Sequence, residues 1–196
     1  MHVLGIDYVG DEIRAGLVDV EKGRLDSTEF VSFPITEHTP ARFLSRIHEI
    51  VKLFNWHGLI GVGFPAPIKQ GIILKPPYMD DMWEDMDIQL MLNELTDMEV
   101  HVFNGMDCMA WAEMTIGAGE ENKGTTVVLS VGPIIQSSLF FNKTLLPNTD
   151  FGLIEINGVT ANERASNKAR KEEGLKRRTW AKRIQLVLDH YEQLFN

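Results

Sequence analysis

Glu99-Val100-His101-Val102-Phe103-Asn104-Gly105-Met106-Asp107-Cys108-Met109-Ala110-Trp111-Ala112-Glu113-Met114-Thr115-Ile116-Gly117-Ala118-Gly119-Glu120 runs from a strand pattern into a helix pattern within one stretch. Val100 to Phe103 reads as a short strand ending at Asn104. Gly105 is expected to turn the backbone, and Met106 to Met114 is apolar enough to form a buried helix closed by Gly117 and Gly119. A strand, a sharp turn and a buried helix place a side chain at the lip of a cleft.

Outward from there, 196 residues suffice for one large or two small domains with a real core. The hydrophobic fraction of 44% is ordinary for a globular chain, and a net charge of −9 argues against general nucleic-acid binding and against an anionic membrane surface. No apolar run approaches a membrane span, and Met1-His2-Val3-Leu4-Gly5-Ile6-Asp7 has no basic leader or cleavage site, so a cytoplasmic location is expected. Cys108 is the single cysteine, which excludes a disulfide framework.

Upstream, Val3–Asp7 and Ile13–Asp19 form a predicted hairpin, with a third strand near Thr28–Phe33. Thr39 and Pro40 open a helix whose buried face is Phe43, Leu44, Ile47, Ile50, Val51 and Phe54. Leu59–Gly63 is the next strand, and Ile88–Leu95 the helix before Glu99. Asp80, Asp81, Glu84, Asp85 and Asp87 lack the alternating spacing and turn glycine of a calcium loop, so they read as a solvated acidic loop and no metal site is expected. Met79, Met82, Met86, Met91 and Met98 read as soft core filler. Downstream, Thr125–Val131 and Ser137–Phe141 form a second hairpin, and Trp180, Ile184, Val187, Tyr191 and Leu194 repeat at helical spacing. Arg164, Lys168, Arg170 and Lys171 begin a basic C-terminal region, either a polyanion site or a solvated helix face.

Asn104-Gly105, the Ala112-Glu113 pair and Gly117-Ala118-Gly119 resemble the second signature of the ROK sugar kinases, most closely their polyphosphate-glucokinase branch. The resemblance implies an α/β, actin-like (ribonuclease H-like) ATPase fold. Two lobes are expected, 1–120 and 121–196, the second incomplete. In that family the strand ends in Asn-Asp, and the aspartate takes the proton from the attacking sugar hydroxyl. The matching position here is Gly105, which cannot accept a proton. Asp107 lies about 200° further around a helix and is expected to point away from the cleft.

The remaining family motifs are also altered. Where the first hairpin resembles Asp-x-Gly-Gly-Thr/Ser, this chain reads Asp7, Tyr8, Val9, Gly10, Asp11; a carboxylate facing a phosphate is repulsive. Arg14 stands where the family often has Lys. The second phosphate loop, Gly-Thr-Gly-Ile-Gly in relatives, reads Gly132-Pro133-Ile134-Ile135-Gln136, so Gly132 is its one remaining glycine. Tyr78 replaces a sugar-binding Asn ahead of Trp83, and Ala66 ends the Gly-Phe-Pro-Gly-like turn. In Pro147-Asn148-Thr149-Asp150-Phe151-Gly152-Leu153, Asp150 keeps a shorter acceptor while Leu153 loses the family's histidine. Asn104 and Asp150 are thus the remnant sugar contacts, and Asp7, Gly10 and Gly132 the remnant phosphate contacts.

The expectation is a degenerate kinase without catalytic residues or cofactor, acting by binding a sugar, polyphosphate, itself as a homo-oligomer, or a related kinase. The alternatives are an active glucokinase using ATP or polyphosphate with Mg, and a module that only binds polyphosphate. Fold and function separate at the site.

Overall fold

The computed structural model describes residues 1–195, with residues 27–29 given by their backbone. The chain forms two compact units, Met1–Cys108 and Met109–Asn196.

In the first unit, β1 (His2–Val9) and β2 (Glu12–Asp19) pair antiparallel with Val9 opposite Glu12, so Gly10 and Asp11 alone form the turn. Gly10 has φ of 55°, as a two-residue turn with glycine first requires. β3 (Arg24–Pro34) pairs with β2 across an irregularity between Gly16 and Val18. Helix α1 (Pro40–Leu53) begins where the Thr39 hydroxyl accepts the Arg42 N–H at 3.3 Å, and it buries Phe43, Ile47, Ile50 and Val51. Each such side chain contributes about 1.5–3 kcal/mol relative to exposure.

β4 (Ile60–Phe64) leads to the short strands β5 (Ile68–Lys69) and β6 (Ile72–Ile73). Helix α2 (Ile88–Thr96) then precedes β7 (Val100–Asn104) and helix α3 (Gly105–Ile116). The sheet order is β3-β2-β1-β4-β7, with β1, β4 and β7 parallel. Tyr8, Phe43, Phe64 and Trp83 pack together in the core, Tyr8 stacked on Phe43 and the other pairs edge-on or tilted, with Phe64 and Trp83 centroids 5.1 Å apart. Met79, Met86, Met91 and Met98 pack on this core, whereas Met82 is exposed. Asp80 and Asp87 of the acidic loop accept backbone N–H groups at the starts of the 3₁₀ turn Asp81–Trp83 and of α2.

The chain turns from β7 into α3 at Gly105 as expected, without a positive φ. One expectation about α3 needs correction. The helix is one-sided: Met106, Asp107, Ala110 and Met114 are buried, while Cys108, Met109, Trp111 and Ile116 are exposed. Apolar composition without a clean apolar stripe cannot show which side faces the core. The units divide within α3, earlier than the boundary expected after Glu120. From Met109 onward the helix belongs to the second unit, where the Trp111 ring lies 6.3 Å from that of Phe140.

In the second unit, β8 (Thr125–Val131), β9 (Ile135–Phe141) and β10 (Thr144–Leu146) form a sheet in the order β10-β9-β8. A 3₁₀ turn, Phe151–Leu153, and the ribbon β11 (Glu155–Ile156) and β12 (Val159–Thr160) come after it. Helix α4 (Ala161–Ala165) starts with a reciprocal cap between Thr160 and Glu163, then come α5 (Asn167–Glu172) and α6 (Arg177–Leu194). Ile135, Ile156, Ala161, Ala165, Val187 and Tyr191 make the core of this unit. Of the expected apolar face of α6, Val187 and Tyr191 are buried and Leu194 is exposed. Among the described residues no helix is long and apolar enough to cross a membrane.

Candidate functional site

Three elements of the first unit meet at the carboxyl ends of its parallel strands, where open α/β sheets bind ligands. Asp7 lies opposite Gly63 across β1 and β4. A side chain begun at Gly63 would stand 3.1 Å from the Asp7 carboxylate, so glycine there leaves that carboxylate its place. Asp7 is reached by solvent, yet the protein mass around its carboxyl pushes it above its ordinary range, offset in part by the Arg14 charge on β2. Arg14 itself pairs with Glu12 at 2.9 Å.

Gly105 completes the corner. A Cβ placed on it would meet Asp7 Oδ1 and the Phe64 carbonyl at 3.6 Å each, which is ordinary contact. Position 105 therefore has the backbone and the first-atom space for a side chain, and it lacks the side chain. The Asn104 carboxamide oxygen accepts the Met106 N–H at 2.8 Å, opening α3. Asp107, in the first helical turn, is only 5% exposed. Cys108 reaches solvent, yet the protein mass around its sulfur, then the Asp107 and Asp7 carboxylates, push the thiol up to about 11. It stays protonated near neutral pH and is a poor nucleophile.

The first hairpin is a closed turn. Asp11 lies 3.3 Å from His38 Nε2, whose Nδ1 is 2.7 Å from the Tyr8 hydroxyl, while the His38 carbonyl accepts the Trp83 indole N–H at 3.0 Å. Burial, with Asp11 adding to it, raises the Tyr8 phenol to about 12. His38 had no sequence signal, because nothing local ties it to a residue thirty positions earlier. Tyr78 is half-buried.

In the second unit the Gly132–Gln136 loop has little left to offer an anion. The Gly132 N–H donates to the Ile134 carbonyl at 3.0 Å, Pro133 has no N–H, and the Ile135 N–H donates to Asn162 Oδ1. The carbonyls of Gly132 and Pro133 accept the N–H groups of Asn167 and Lys168, which fastens the loop to the start of α5. Gly132 has no positive φ, and a Cβ on it would meet only the Ile134 carbonyl, at 3.7 Å. An anion nest needs several converging unpaired N–H groups.

Asp150 accepts the Gly152 N–H at 2.9 Å, and Leu153 is exposed. A Cβ on Gly152 would overlap the Ile135 carbonyl oxygen, so this position tolerates only glycine. Of the basic candidates, Arg164 donates to the Ile156 carbonyl at 2.5 Å. Arg170 donates to Asn167 at 2.9 Å and lies over the Trp180 ring, Lys168 is 3.9 Å from Glu172, and Lys171 is exposed. Among the described residues no group of three or more His, Cys, Asp or Glu is arranged to hold a metal.

The ROK family model matches residues 3–141. The chain is 34% identical over 185 residues to a polyphosphate glucokinase of Mycobacterium leprae, covering 94% of this chain and 57% of that relative. It is 32% identical to a polyphosphate glucokinase of Mycobacterium tuberculosis, covering 95% and 71%. The chain thus spans little more than half the length of the first relative. An inorganic polyphosphate/ATP-glucomannokinase from Arthrobacter sp. strain KM superposes with a TM-score of 0.92 at 31% identity, over 99% of this chain and 79% of that one. A ROK family glucokinase from Streptomyces griseus shares the fold, with a TM-score of 0.71 at 20% identity over 86% of this chain and 58% of that one. With its α/β architecture and these likenesses, the chain belongs to the ROK family, has the actin-like fold of its sugar kinases and is similar to polyphosphate glucokinases.

Proposed function

We propose that this ROK protein binds a ligand or partner in a glucokinase-like cleft without transferring phosphate. The observation that carries the reading is Gly105, a helical residue at which a Cβ would meet only ordinary contacts, at the place where the polyphosphate-glucokinase resemblance puts the proton acceptor. General-base catalysis contributes about 10²–10⁴-fold, and electrostatic stabilisation of the transferring phosphoryl group usually contributes more. The occupied amides of the Gly132 loop bear on that electrostatic contribution.

An active glucokinase is the second reading, and the named relatives favour it over the first. On that reading the Asp7 carboxyl, 3.6 Å from the point where a side chain on Gly105 would begin, takes the proton. Its raised pKa makes it a stronger base than an ordinary aspartate.

The two readings separate in a coupled assay for glucose 6-phosphate with ATP or polyphosphate as donor, run beside thermal-shift titrations with each compound. A shifted melting temperature without turnover supports binding alone. Turnover abolished by Asp7→Asn in a folded protein establishes the active kinase and overturns the first reading.

A further inference from the structure

Two asparagines of this chain are followed by glycine, in Asn104-Gly105 and Asn157-Gly158. The main-chain nitrogen after an asparagine can attack that asparagine's own side chain, and glycine, with no Cβ, hinders the attack least. The two pairs are held in opposite ways. The Asn104 carboxamide oxygen accepts the Met106 N–H at 2.8 Å, and Gly105 is already the first residue of α3. That carboxamide is committed to the helix, and the nitrogen beside it belongs to helical backbone.

Asn157 and Gly158 are the two turn residues of the β11–β12 ribbon, between Ile156 and Val159, which stand opposite each other. Both have positive φ, 54° and 78°, and both are exposed. A two-residue turn of this kind selects Asn-Gly for its backbone, and the reactivity of the pair comes with it. Among the described residues neither the Asn157 carboxamide nor the Gly158 N–H has a hydrogen-bond partner. A Cβ on Gly158 would meet nothing within 4 Å, so a ring closed across residues 157 and 158 has room.

We infer that Asn157 is a site of spontaneous deamidation, with water as the only co-reactant, and that Asn104 is protected from it. The Gly158 nitrogen, having given its proton to hydroxide, attacks Cγ of Asn157. The N–Cγ bond forms, the Cγ–Nδ2 bond breaks, and ammonia leaves with a proton taken from water. Water then opens the succinimide at either of its two carbonyls, giving aspartate from one and isoaspartate from the other. Aspartate suits the turn as asparagine does. Isoaspartate routes the main chain through its own side chain and so lengthens a turn whose residue count fixes the register of the ribbon. That ribbon carries Ile156 into the core, the Ile156 carbonyl accepts the Arg164 guanidinium at 2.5 Å, and Thr160 at its end caps α4. Isoaspartate at position 157 therefore loosens the start of α4. This chemistry does not depend on whether the cleft transfers phosphate.

The test ages the full folded chain in mildly alkaline buffer and maps its peptides by mass spectrometry, with enzymatic methylation to count isoaspartate. The Asn157 peptide is expected to gain one mass unit and to carry isoaspartate. Asn104 should react more slowly by roughly tenfold, the factor that one lost hydrogen bond represents. In urea, where both pairs are unfolded, the two rates should converge. Aged wild type should melt below the fresh protein, whereas Asn157→Gln should keep its melting temperature on ageing and fresh Asn157→Asp should melt like fresh wild type. Folded Asn157 that stays intact while the urea-unfolded chain deamidates there overturns the inference, as does an Asn104 that reacts equally fast in the folded protein. A melting temperature unmoved by isoaspartate, or lowered equally in aged Asn157→Gln, overturns the consequence for α4.

Discussion

The corner made by Asp7, Gly63 and Gly105 is open, whereas the loop from Gly132 to Gln136 is closed. At Gly105 the backbone is helical and a Cβ has ordinary contacts at 3.6 Å, so a single missing side chain separates this corner from one that holds a carboxylate there. At the loop the N–H groups of Gly132 and Ile135 are already committed, to Ile134 and Asn162, and Pro133 has none. A side chain can be restored by one codon. A nest whose amides are bonded elsewhere cannot, because each bond must be broken and each partner left satisfied. The glycines sort the same way. Gly152 is fixed by the Ile135 carbonyl where its Cβ would stand, while Gly105 and Gly132 are fixed by neither space nor φ.

The contrast breaks most visibly at Gly152. Gly152→Ala drives a methyl into the Ile135 carbonyl, and we expect a loss of about 3 kcal/mol or more in urea unfolding, or no folded protein. A loss below about 1 kcal/mol would mean that the closed loop yields easily. Asn162→Ala comes next. It removes the acceptor of the Ile135 N–H and should cost about 1–3 kcal/mol, with faster amide exchange at Ile135 as the specific readout. Gly105→Ala should instead stabilise the protein by about 0.5 kcal/mol, since it places a better helix former where nothing obstructs it. A clear destabilisation there would show that the corner is tighter than its contacts indicate.

The smallest effect concerns pH. The folded Asp7 carboxyl titrates above its ordinary value of 3.8, so between that value and the raised one the native state holds more protons than the unfolded state. The Asp7 contribution to stability should therefore fall as pH rises through that window, and the difference between wild type and Asp7→Asn should show that fall. Retention of the full slope in Asp7→Asn would assign it to another carboxyl.

Much of the framework was legible because its signals are local. Thr39-Pro40 with apolar residues three and four apart dictates α1, and Gly10 between two strands dictates the two-residue turn. The burial of α3 was misread because its apolar residues surround the helix instead of lining one side of it. In the site, the absence of a side chain at Gly105 and of an N–H at Pro133 could be read from residue identity alone. What closes the loop could not, since Asn162 and Asn167 act from other elements. Nor did any local pattern announce that His38 would join Tyr8 to Asp11.

If one corner of this glucokinase-like protein is open and its Gly132 loop is closed, restoring the corner alone does not restore phosphoryl transfer. The decisive experiment is single-turnover formation of glucose 6-phosphate, with protein in excess over labelled polyphosphate or ATP, for the wild type and Gly105→Asp side by side. Neither is expected to form product above the protein-free rate. Rapid product from the wild type, or from Gly105→Asp alone, would show that the loop still serves a phosphoryl donor.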